Sequence, residues 1–254
     1  MLVKIIGGHG GVSPGFRATS YLIDEKLLID AGSVASGLQI PHQVLIDNVL
    51  ISHSHLDHIG EIAFLAGNCF GQKGAPFQIH TNKTVEHNIM THLLNDEIWP
   101  DFTVLPNKEN PTLKFNELVV EKTVEIGGYK VTPVQVNHPG NAMGFIIEKG
   151  DTAIVFTQDT GPTDRIWEVA KKNKKLKAIF TEVSFPNALK QVAIDSQHHT
   201  PDTMREEIKK MPESVPIFLG HLKPNFQDQL YQEIDELGCD RISLLGSDNA
   251  SYVF

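Results

Sequence analysis

The chain has 254 residues, of which 41% are hydrophobic, and this composition is typical of a globular protein with a sizeable core. Its formal net charge of −9 at pH 7 argues against broad electrostatic binding to long nucleic acid. Two cysteines, Cys69 and Cys239, argue against a disulfide scaffold. No apolar run approaches the roughly 18 residues of a membrane span, and the first residues resemble a strand rather than a secretory signal. We therefore predict a cytoplasmic protein that forms one domain over residues 1–254.

Short apolar runs predict strands in both halves of the chain, and amphipathic helices fall between them. The predicted strands are Leu2–Ile6, Ser20–Ile23, Leu27–Ile29, Val49–Ile51, Phe77–His80, Leu118–Val120, Lys130–Val136, Phe145–Glu148, Ala153–Thr157, Lys177–Thr181, Pro216–Leu219, Ile242–Leu244 and Tyr252–Phe254. Two mixed sheets packed together, with helices on the outside, fit this pattern.

Three helices carry clear signals. One begins near residues 162–164. Another begins at Thr200, which is a suitable N-cap, with Pro201 at the first helical position. The last ends at Gly238. Their apolar stripes are Ile166, Val169 and Ala170; Met204, Ile208 and Met211; and Phe226, Leu230, Ile234 and Leu237.

The stretch from His53 to His58 concentrates four potential metal ligands directly after an apolar run. The letters His-Ser-His-Leu-Asp-His follow the predicted strand Val49–Ile51. Two imidazoles then point one way, and a carboxylate with a third imidazole points the other, which suits two metal ions held close together. The alternative is a polar loop with a chance cluster, but histidine is a common metal ligand and rarely clusters otherwise. The stretch therefore predicts a dinuclear hydrolytic centre.

Three more potential ligands follow predicted strands later in the chain. His138 follows the run 131–136, Asp159 follows 153–156, and His221 follows 216–220. Sheet-based sites collect their functional side chains at such strand ends. Each residue alone would be an ordinary loop residue.

The stretch His53–His58 resembles the signature of the metallo-β-lactamase superfamily, and the three later residues occur in the order that this superfamily requires. The resemblance implies an α/β fold, the αβ/βα sandwich, with metals at one edge between the sheets. It implies that His53, His55 and His138 hold one ion, that Asp57, His58 and His221 hold the other, and that Asp159 bridges both. His rather than Glu at position 55 favours a di-zinc hydrolase over the di-iron redox branch, although Mn or Fe suits the same ligands.

Other segments leave alternatives open. Leu28-Ile29-Asp30-Ala31-Gly32 also resembles a superfamily segment, whose Asp supports the metal site; alternatively Asp30 caps a turn. The Gly-rich segment 7–11 is either a phosphate cradle or, more commonly, a tight turn between strands, and no P-loop lysine follows it. The stretch Ile98-Trp99-Pro100-Asp101-Phe102 either walls a pocket for a nucleotide base, packs in the core or makes a dimer contact.

Two further segments are similar to those of class II 3′,5′-cyclic nucleotide phosphodiesterases. They are Glu182-Val183-Ser184-Phe185-Pro186-Asn187 and Gln197-His198-His199-Thr200-Pro201. That family has Gly and Leu where this chain has Gln197 and His199. A histidine paired with a carboxylate is a suitable proton donor, so we expect Glu182 and His198 to be catalytic, along with Asp57. The alternatives are a lysine partner for Glu182 and a helix-capping neighbourhood for His198. We expect His199 to be a surface residue.

The resemblance implies a dinuclear-metal phosphodiesterase that hydrolyses cAMP, with cGMP left open, to nucleoside 5′-monophosphates. Alternatives are a ribonuclease Z-like or general phosphodiesterase, a lactone or thioester hydrolase, and a non-catalytic metal-binding module. The expected cofactors are two divalent ions, with zinc favoured. The expected partner is a small cyclic nucleotide, with no long nucleic acid and no membrane, and a homodimer is compatible with the sequence.

Overall fold

A computed structural model describes residues 1–246 and 249–254, which contain two seven-stranded sheets. In chain order, the first seven strands are β1 (Leu2–Gly7), β2 (Ser20–Ile23), β3 (Leu27–Ile29), β4 (Asn48–Leu50), β5 (Phe77–Thr81), β6 (Leu113–Glu117) and β7 (Val124–Ile126). The others are β8 (Tyr129–Gln135), β9 (Met143–Lys149), β10 (Thr152–Phe156), β11 (Leu176–Glu182), β12 (Ile217–Gly220), β13 (Ile242–Leu244) and β14 (Ser251–Val253). The strand orders are β14-β1-β2-β3-β4-β5-β6 and β13-β12-β11-β10-β9-β8-β7.

Helices connect the parallel strands of both sheets. They are α1 (Val34–Gly37), α2 (Ile40–Gln43), α3 (Leu56–Ile59), α4 (Ile62–Asn68), α5 (Lys83–His92), α6 (Arg165–Ala170), α7 (Lys190–Asp195), α8 (Pro201–Glu207) and α9 (Gln227–Asp235). Single 3₁₀ turns cover Asn187–Leu189, Ile208–Lys210 and Pro224–Phe226. Within the described ranges, none of these helices has the length and apolar composition of a membrane span.

Side chains that alternate along the strands form three apolar layers. The middle layer lies between the sheets and includes Ile5, Ile29, Phe145, Phe156 and Phe180. One outer layer joins the first sheet to α4 and α5 through Leu28, Val49, Ile79, Leu65 and Ile89. The other joins the second sheet to α6, α8 and α9 through Val155, Ile179, Trp167, Met204 and Leu230. The predicted sandwich of two mixed sheets with helices outside is therefore confirmed.

The predicted strand at Leu118–Val120 is wrong. The strand is Leu113–Glu117, at the edge of the first sheet, and Val119 and Val120 are exposed. Only Leu113 and Phe115 of this strand pack into the helix layer, and polar residues alternate with them. An alternating edge strand carries a weaker signal than the continuous apolar run that follows it. The short edge strand β7 has no counterpart among the predicted strands.

The predicted helix boundaries depend on local chemistry that the structure reproduces. The Thr200 side chain caps α8 by accepting a hydrogen bond from the Thr203 backbone N–H. In turn, the Thr203 hydroxyl accepts a hydrogen bond from the Thr200 backbone N–H. Pro201 occupies the first turn. After α9, Gly238 adopts a φ of 59°, a left-handed conformation that glycine accommodates without cost. This last turn directs the chain into β13.

Candidate metal centre

One edge of the sandwich collects the predicted ligands because several strands end there. β8, β10, β11 and β12 run in the same direction, since β8 and β10 each pair antiparallel with β9, whereas β10, β11 and β12 pair parallel. His138, Asp159 and His221 follow the carboxyl ends of β8, β10 and β12. The His53–His58 stretch follows the carboxyl end of β4 in the facing sheet. Carboxyl ends of parallel strands are where ligands bind in α/β proteins.

His53, His55, His138 and Asp159 form the first donor group, in which one potential ligand atom of each residue lies within 4.8 Å of the others. His138 Nε2 is 3.1 Å from His55 Nδ1. Asp159 Oδ2 is 3.7 Å from His53 Nε2 and 3.8 Å from His138 Nε2. Three imidazole nitrogens and one carboxylate oxygen thus face a common space.

Asp57, His58, His221 and Asp159 form the second donor group within the same distance limit of 4.8 Å. The Nε2 atoms of His58 and His221 are 3.3 Å apart and lie 3.2 and 3.1 Å from Asp159 Oδ1. Asp57 Oδ2 is 3.4 Å from His221 Nε2. Asp159 therefore presents one carboxylate oxygen to each group.

The opposite ring nitrogens show that these histidines suit metal ions. His58 Nδ1 lies 2.7 Å from Asp30 Oδ2, and His138 Nδ1 lies 3.0 Å from the Gln197 carbonyl oxygen. Both oxygens can only accept, so each Nδ1 carries the proton, and in the neutral ring Nε2 keeps a lone pair for a cation. Among the described residues, the buried His53 Nε2 has no hydrogen-bond partner, as expected for an atom that contacts a metal. The fold implies divalent ions, and this donor set fits them.

The pKa shifts favour the neutral form of His53 and His138, whereas they favour the protonated form of His58. Burial lowers the pKa of His53 well below its usual value and that of His138 to about 4, which keeps both rings in the neutral, ligating form. Burial also opposes charge on His58, but the carboxylates of Asp159 and Asp30 raise its pKa well above the usual value. Burial opposes ionisation of Asp159 as well, yet His221 and His58 hold its pKa well below the usual range. The carboxylates thus favour positive charge in this space.

Asp30 supports the second donor group from outside. Its fully buried carboxylate accepts hydrogen bonds from the Ser52 backbone and from the Ser52 hydroxyl, each 2.8 Å away, as well as from Gln158 and His58. Asp30 has a φ of 54°, a conformation that costs free energy in residues with a side chain. Of the two alternatives, support of the site rather than capping of a turn matches these contacts.

Glu182 and His198 lie together beside both donor groups. Glu182 Oε1 is 2.8 Å from His198 Nδ1, so the carboxylate pairs with this histidine and not with a lysine. The His198 ring centroid is 4.9 Å from that of His138 and 5.5 Å from that of His221. Burial opposes both charges, but Glu182 raises the pKa of His198, and His198 lowers that of Glu182. The pair therefore favours a protonated imidazole.

The expectation that His199 is a surface residue is wrong. Its side chain is completely buried, and its Nδ1 lies 3.0 Å from the hydroxyl of Thr203 at the start of α8. Its carbonyl oxygen accepts a hydrogen bond from the Ser184 backbone, which holds the His198 segment against the end of β11. The polar sequence Gln197-His198-His199 gave no sign of this burial.

Two other segments can now be placed. A Cβ added to Gly10 would lie 2.7 Å from both Nδ1 and the carbonyl oxygen of His221, so this glycine permits a close approach to the second donor group. The tight packing favours a structural role for the Gly-rich segment over a phosphate cradle.

Trp99 contacts Phe64 edge to face, with ring centroids 5.3 Å apart, and packs against the helix layer of the first sheet. Among the alternatives for this stretch, core packing matches these contacts of Trp99.

Comparison with known proteins places the chain in a family. A sequence profile of the family described as Anti-Pycsar protein Apyc1 matches residues 14–235, which include every predicted ligand. The chain belongs to the Anti-Pycsar protein Apyc1 family. The profile also spans Glu182 and His198, so the whole candidate site lies within the part of the chain that defines the family.

The chain also resembles individual curated proteins at low sequence identity. The chain is 24% identical over 161 residues to endoribonuclease ysh1 of Schizosaccharomyces pombe, a match that covers 60% of the chain but only 21% of that protein. It is 22% identical to the cAMP/cGMP-dependent 3′,5′-cAMP/cGMP phosphodiesterase A of Dictyostelium discoideum, over 94% of the chain and 78% of the relative.

Solved structures share the whole architecture. Unliganded yeast PDE1 superposes with a TM-score of 0.83 at 17% identity, covering 98% of both chains. The metallo-β-lactamase fold protein YhfI from Bacillus subtilis superposes with a TM-score of 0.76 at 20% identity, covering 99% of both chains. These similarities confirm the metallo-β-lactamase fold.

Proposed function

We propose that this protein is a dinuclear-metal phosphodiesterase that hydrolyses 3′,5′-cyclic nucleotides to nucleoside 5′-monophosphates. The proposal refines a broader assignment, a metal-dependent hydrolase of the metallo-β-lactamase fold, which the fold and the two donor groups support. The observation that carries it is the buried Glu182–His198 pair beside the metal-binding donors.

In this proposal His53, His55 and His138 hold one ion, Asp57, His58 and His221 hold the other, and Asp159 is shared. Bound divalent ions supply positive charge for the phosphoryl oxygens and lower the pKa of water towards roughly 7, so that it is nucleophilic at neutral pH. The carboxylates of Asp57 and Asp159 neutralise only part of the charge of two divalent ions. The remaining positive charge favours an anionic substrate such as a phosphodiester.

His198 donates the proton that the leaving group needs. Its Nδ1 is held by Glu182, which leaves Nε2 as the nitrogen available to substrate. As hydroxide, formed when a water molecule gives its proton to solvent, bonds to phosphorus, the bond from phosphorus to the 3′ oxygen of the ribose breaks and that oxygen takes the proton from His198. His198 then regains a proton from solvent, which completes the cycle. Because Glu182 raises the pKa of His198, the protonated form is available near neutral pH. Glu182 orients the ring and stabilises its charge.

Between the two curated relatives described above, the extent of the sequence match favours this substrate class over RNA. The Dictyostelium phosphodiesterase aligns with 94% of the chain, whereas the fission-yeast endoribonuclease aligns with 60%. An RNA phosphodiester presents the same chemistry to the same residues, so a ribonuclease or general phosphodiesterase is the second candidate. The net charge of −9 disfavours a long polyanion.

The test is turnover of cAMP and cGMP by protein loaded with zinc or manganese, with the products separated and identified. We expect nucleoside 5′-monophosphate alone, loss of activity with a chelator, and recovery when metal is returned. Hydrolysis of an aryl phosphodiester without turnover of either cyclic nucleotide would reject the cyclic nucleotide substrate and leave the general phosphodiesterase. Cleavage of short single-stranded RNA under those conditions would favour the nuclease.

Two further expectations stay predictions: that residues 1–254 form one domain and that the protein is cytoplasmic. A homodimer remains compatible with the sequence. Zinc as the native metal is likewise a proposal, based on the nitrogen-rich donor set.

A further inference from the structure

The hydroxyl of Ser184 lies where the metal-binding and proton-donating parts of the site meet. It is completely buried, and its Oγ is 2.8 Å from Glu182 Oε2 and 3.0 Å from His221 Nδ1. His198 Nδ1 is 3.2 Å away. The Ser184 backbone N–H donates to the His199 carbonyl oxygen at 3.0 Å, so the residue joins β11 to the segment that carries His198.

The partners fix the direction of the hydrogen bonds, since a hydroxyl has one proton to donate. His221 directs Nε2 towards Asp159 Oδ1, 3.1 Å away, so metal binding at Nε2 leaves the ring proton on Nδ1, which donates to Ser184 Oγ. Ser184 then donates to Glu182 Oε2 at 2.8 Å, a nearer acceptor than the His221 carbonyl oxygen at 3.3 Å, and Glu182 Oε1 accepts from His198 Nδ1. An uninterrupted chain of hydrogen bonds connects a ligand of the second donor group to the proton donor.

The first serine of the site has the same arrangement. Ser52 Oγ is 3.0 Å from His53 Nδ1 and 2.8 Å from Asp30 Oδ2, and Asp30 Oδ2 is 2.7 Å from His58 Nδ1. The order histidine, serine, carboxylate, histidine thus occurs twice. Around Ser52 both histidines belong to donor groups, whereas around Ser184 one of them is His198. Ser52 is therefore a matched control for Ser184.

We propose that Ser184 is a positioning residue that ties His198 to the second donor group through Glu182. It holds the Glu182 carboxylate at Oε2, and the carboxylate in turn holds the imidazole of His198 at its other oxygen. The orientation of the proton donor then depends on the same histidine that binds metal. The effect on turnover rests on the proposed function, but the hydrogen-bond chain does not.

The test compares Ser184→Ala with Ser52→Ala, both loaded with zinc, by histidine side-chain ¹⁵N NMR, zinc affinity and turnover of two substrates. The substrates are cAMP and bis(4-nitrophenyl) phosphate, whose leaving group departs without a proton. We expect Ser184→Ala to reduce cAMP turnover roughly 10- to 100-fold, as loss of an outer partner does, and to change the aryl substrate by less than about threefold. The ¹⁵N signals of His221 and His198 should shift, while those of His53 and His58 stay in place.

Ser52→Ala should do the reverse, shifting the signals of His53 and His58 and lowering turnover of both substrates by a similar factor. Equal losses on both substrates in Ser184→Ala, or an unchanged His198 signal in that variant, would overturn the inference. If the wild-type protein turns over no cyclic nucleotide, the proposed function fails. The NMR comparison then decides the hydrogen-bond chain alone, and an unchanged His198 signal still rejects it.

Discussion

Glu182 and His198 make a 2.8 Å contact in a region nearly closed to solvent, where the two residues are 1% and 6% exposed. A carboxylate in such surroundings requires a positive partner, because an unpaired buried charge is costly. The pair and His221 have potential ligand atoms within 4.8 Å of one another, but in the proposal neither Glu182 nor His198 binds metal. This separation makes proton transfer and metal binding distinguishable by mutation.

Replacing His198 with alanine should leave metal binding intact and reduce turnover of a cyclic nucleotide by about 10²- to 10⁴-fold, which is the usual contribution of general acid catalysis. The loss follows because the 3′ oxygen would leave without a proton. Steady-state kinetics together with metal analysis check this. His92→Ala, an exposed site at the end of α5, is the control and should behave as wild type. A His198→Ala enzyme with undiminished turnover would remove this residue from the mechanism.

Replacing Asp159 with alanine should weaken binding of both ions, whereas Asp57→Ala should weaken one. Asp159 directs Oδ2 to the first donor group and Oδ1 to the second, while Asp57 belongs to the second alone. We expect losses in affinity greater than the roughly 10- to 100-fold typical of an outer partner. Calorimetric titration with zinc resolves the two binding steps. Two intact steps in Asp159→Ala would show that this carboxylate is not shared.

Gly10→Ala should disturb the second donor group although it replaces none of the side chains of that group. The new Cβ would lie 2.7 Å from His221 Nδ1, so His221 must move, at a cost of about 1–3 kcal/mol in stability and with weaker zinc binding. Gly74→Ala is the matched control, because no heavy atom of the described residues other than Gly74 and its two chain neighbours lies within 4 Å of its added Cβ. Thermal unfolding with and without zinc measures both effects. Equal unfolding temperatures of the two variants, with and without zinc, would mean that the Gly-rich segment can shift to accommodate the Cβ at little cost.

Stability should fall in acid partly because of His80. Burial lowers its pKa to about 4 in the folded protein, from the ordinary value of 6.5. Below pH 6.5 the unfolded chain therefore binds a proton that the folded chain rejects, and the free energy of unfolding decreases until about pH 4, by about 3 kcal/mol. His80→Gln should flatten this part of the pH profile in urea unfolding, whereas the exposed-site variant His42→Gln should not. An unaltered profile in His80→Gln would assign the acid sensitivity to other histidines.

The strands that carry the site could be predicted from the sequence because they are buried on both faces. β10 and β12 read as continuous apolar runs, and a polar residue soon after each run marks the edge of the sheet. The edge strands β6 and β7 were not predicted. In β6 polar residues alternate with apolar ones, and in β7 the charged Glu125 separates Val124 from Ile126. Continuous apolar runs therefore identify strands that are buried on both faces, but not strands that are buried on one face only.

The predicted ligands converge in the structure, but the contacts that orient them could not be predicted. Ser52 precedes a predicted ligand directly and gave no signal, because nothing local shows that its hydroxyl meets Asp30, 22 residues earlier. His199 escaped for a related reason: its burial depends on α8 and on the end of β11, which meet only in the folded chain. Residue type and spacing reveal donors, whereas tautomers and orientations arise from tertiary contacts.

The donors of each group come from both sheets, since His53 and His58 follow a strand of one sheet and His138 and His221 follow strands of the other. Ions bound there would link the two sheets at this edge of the sandwich. Removing the ions with a chelator should accordingly lower the unfolding temperature. The difference from the metal-loaded protein should grow with the free metal concentration at which the loaded protein is measured. The protein's supply of metal would then set its persistence in the cell as well as its chemistry.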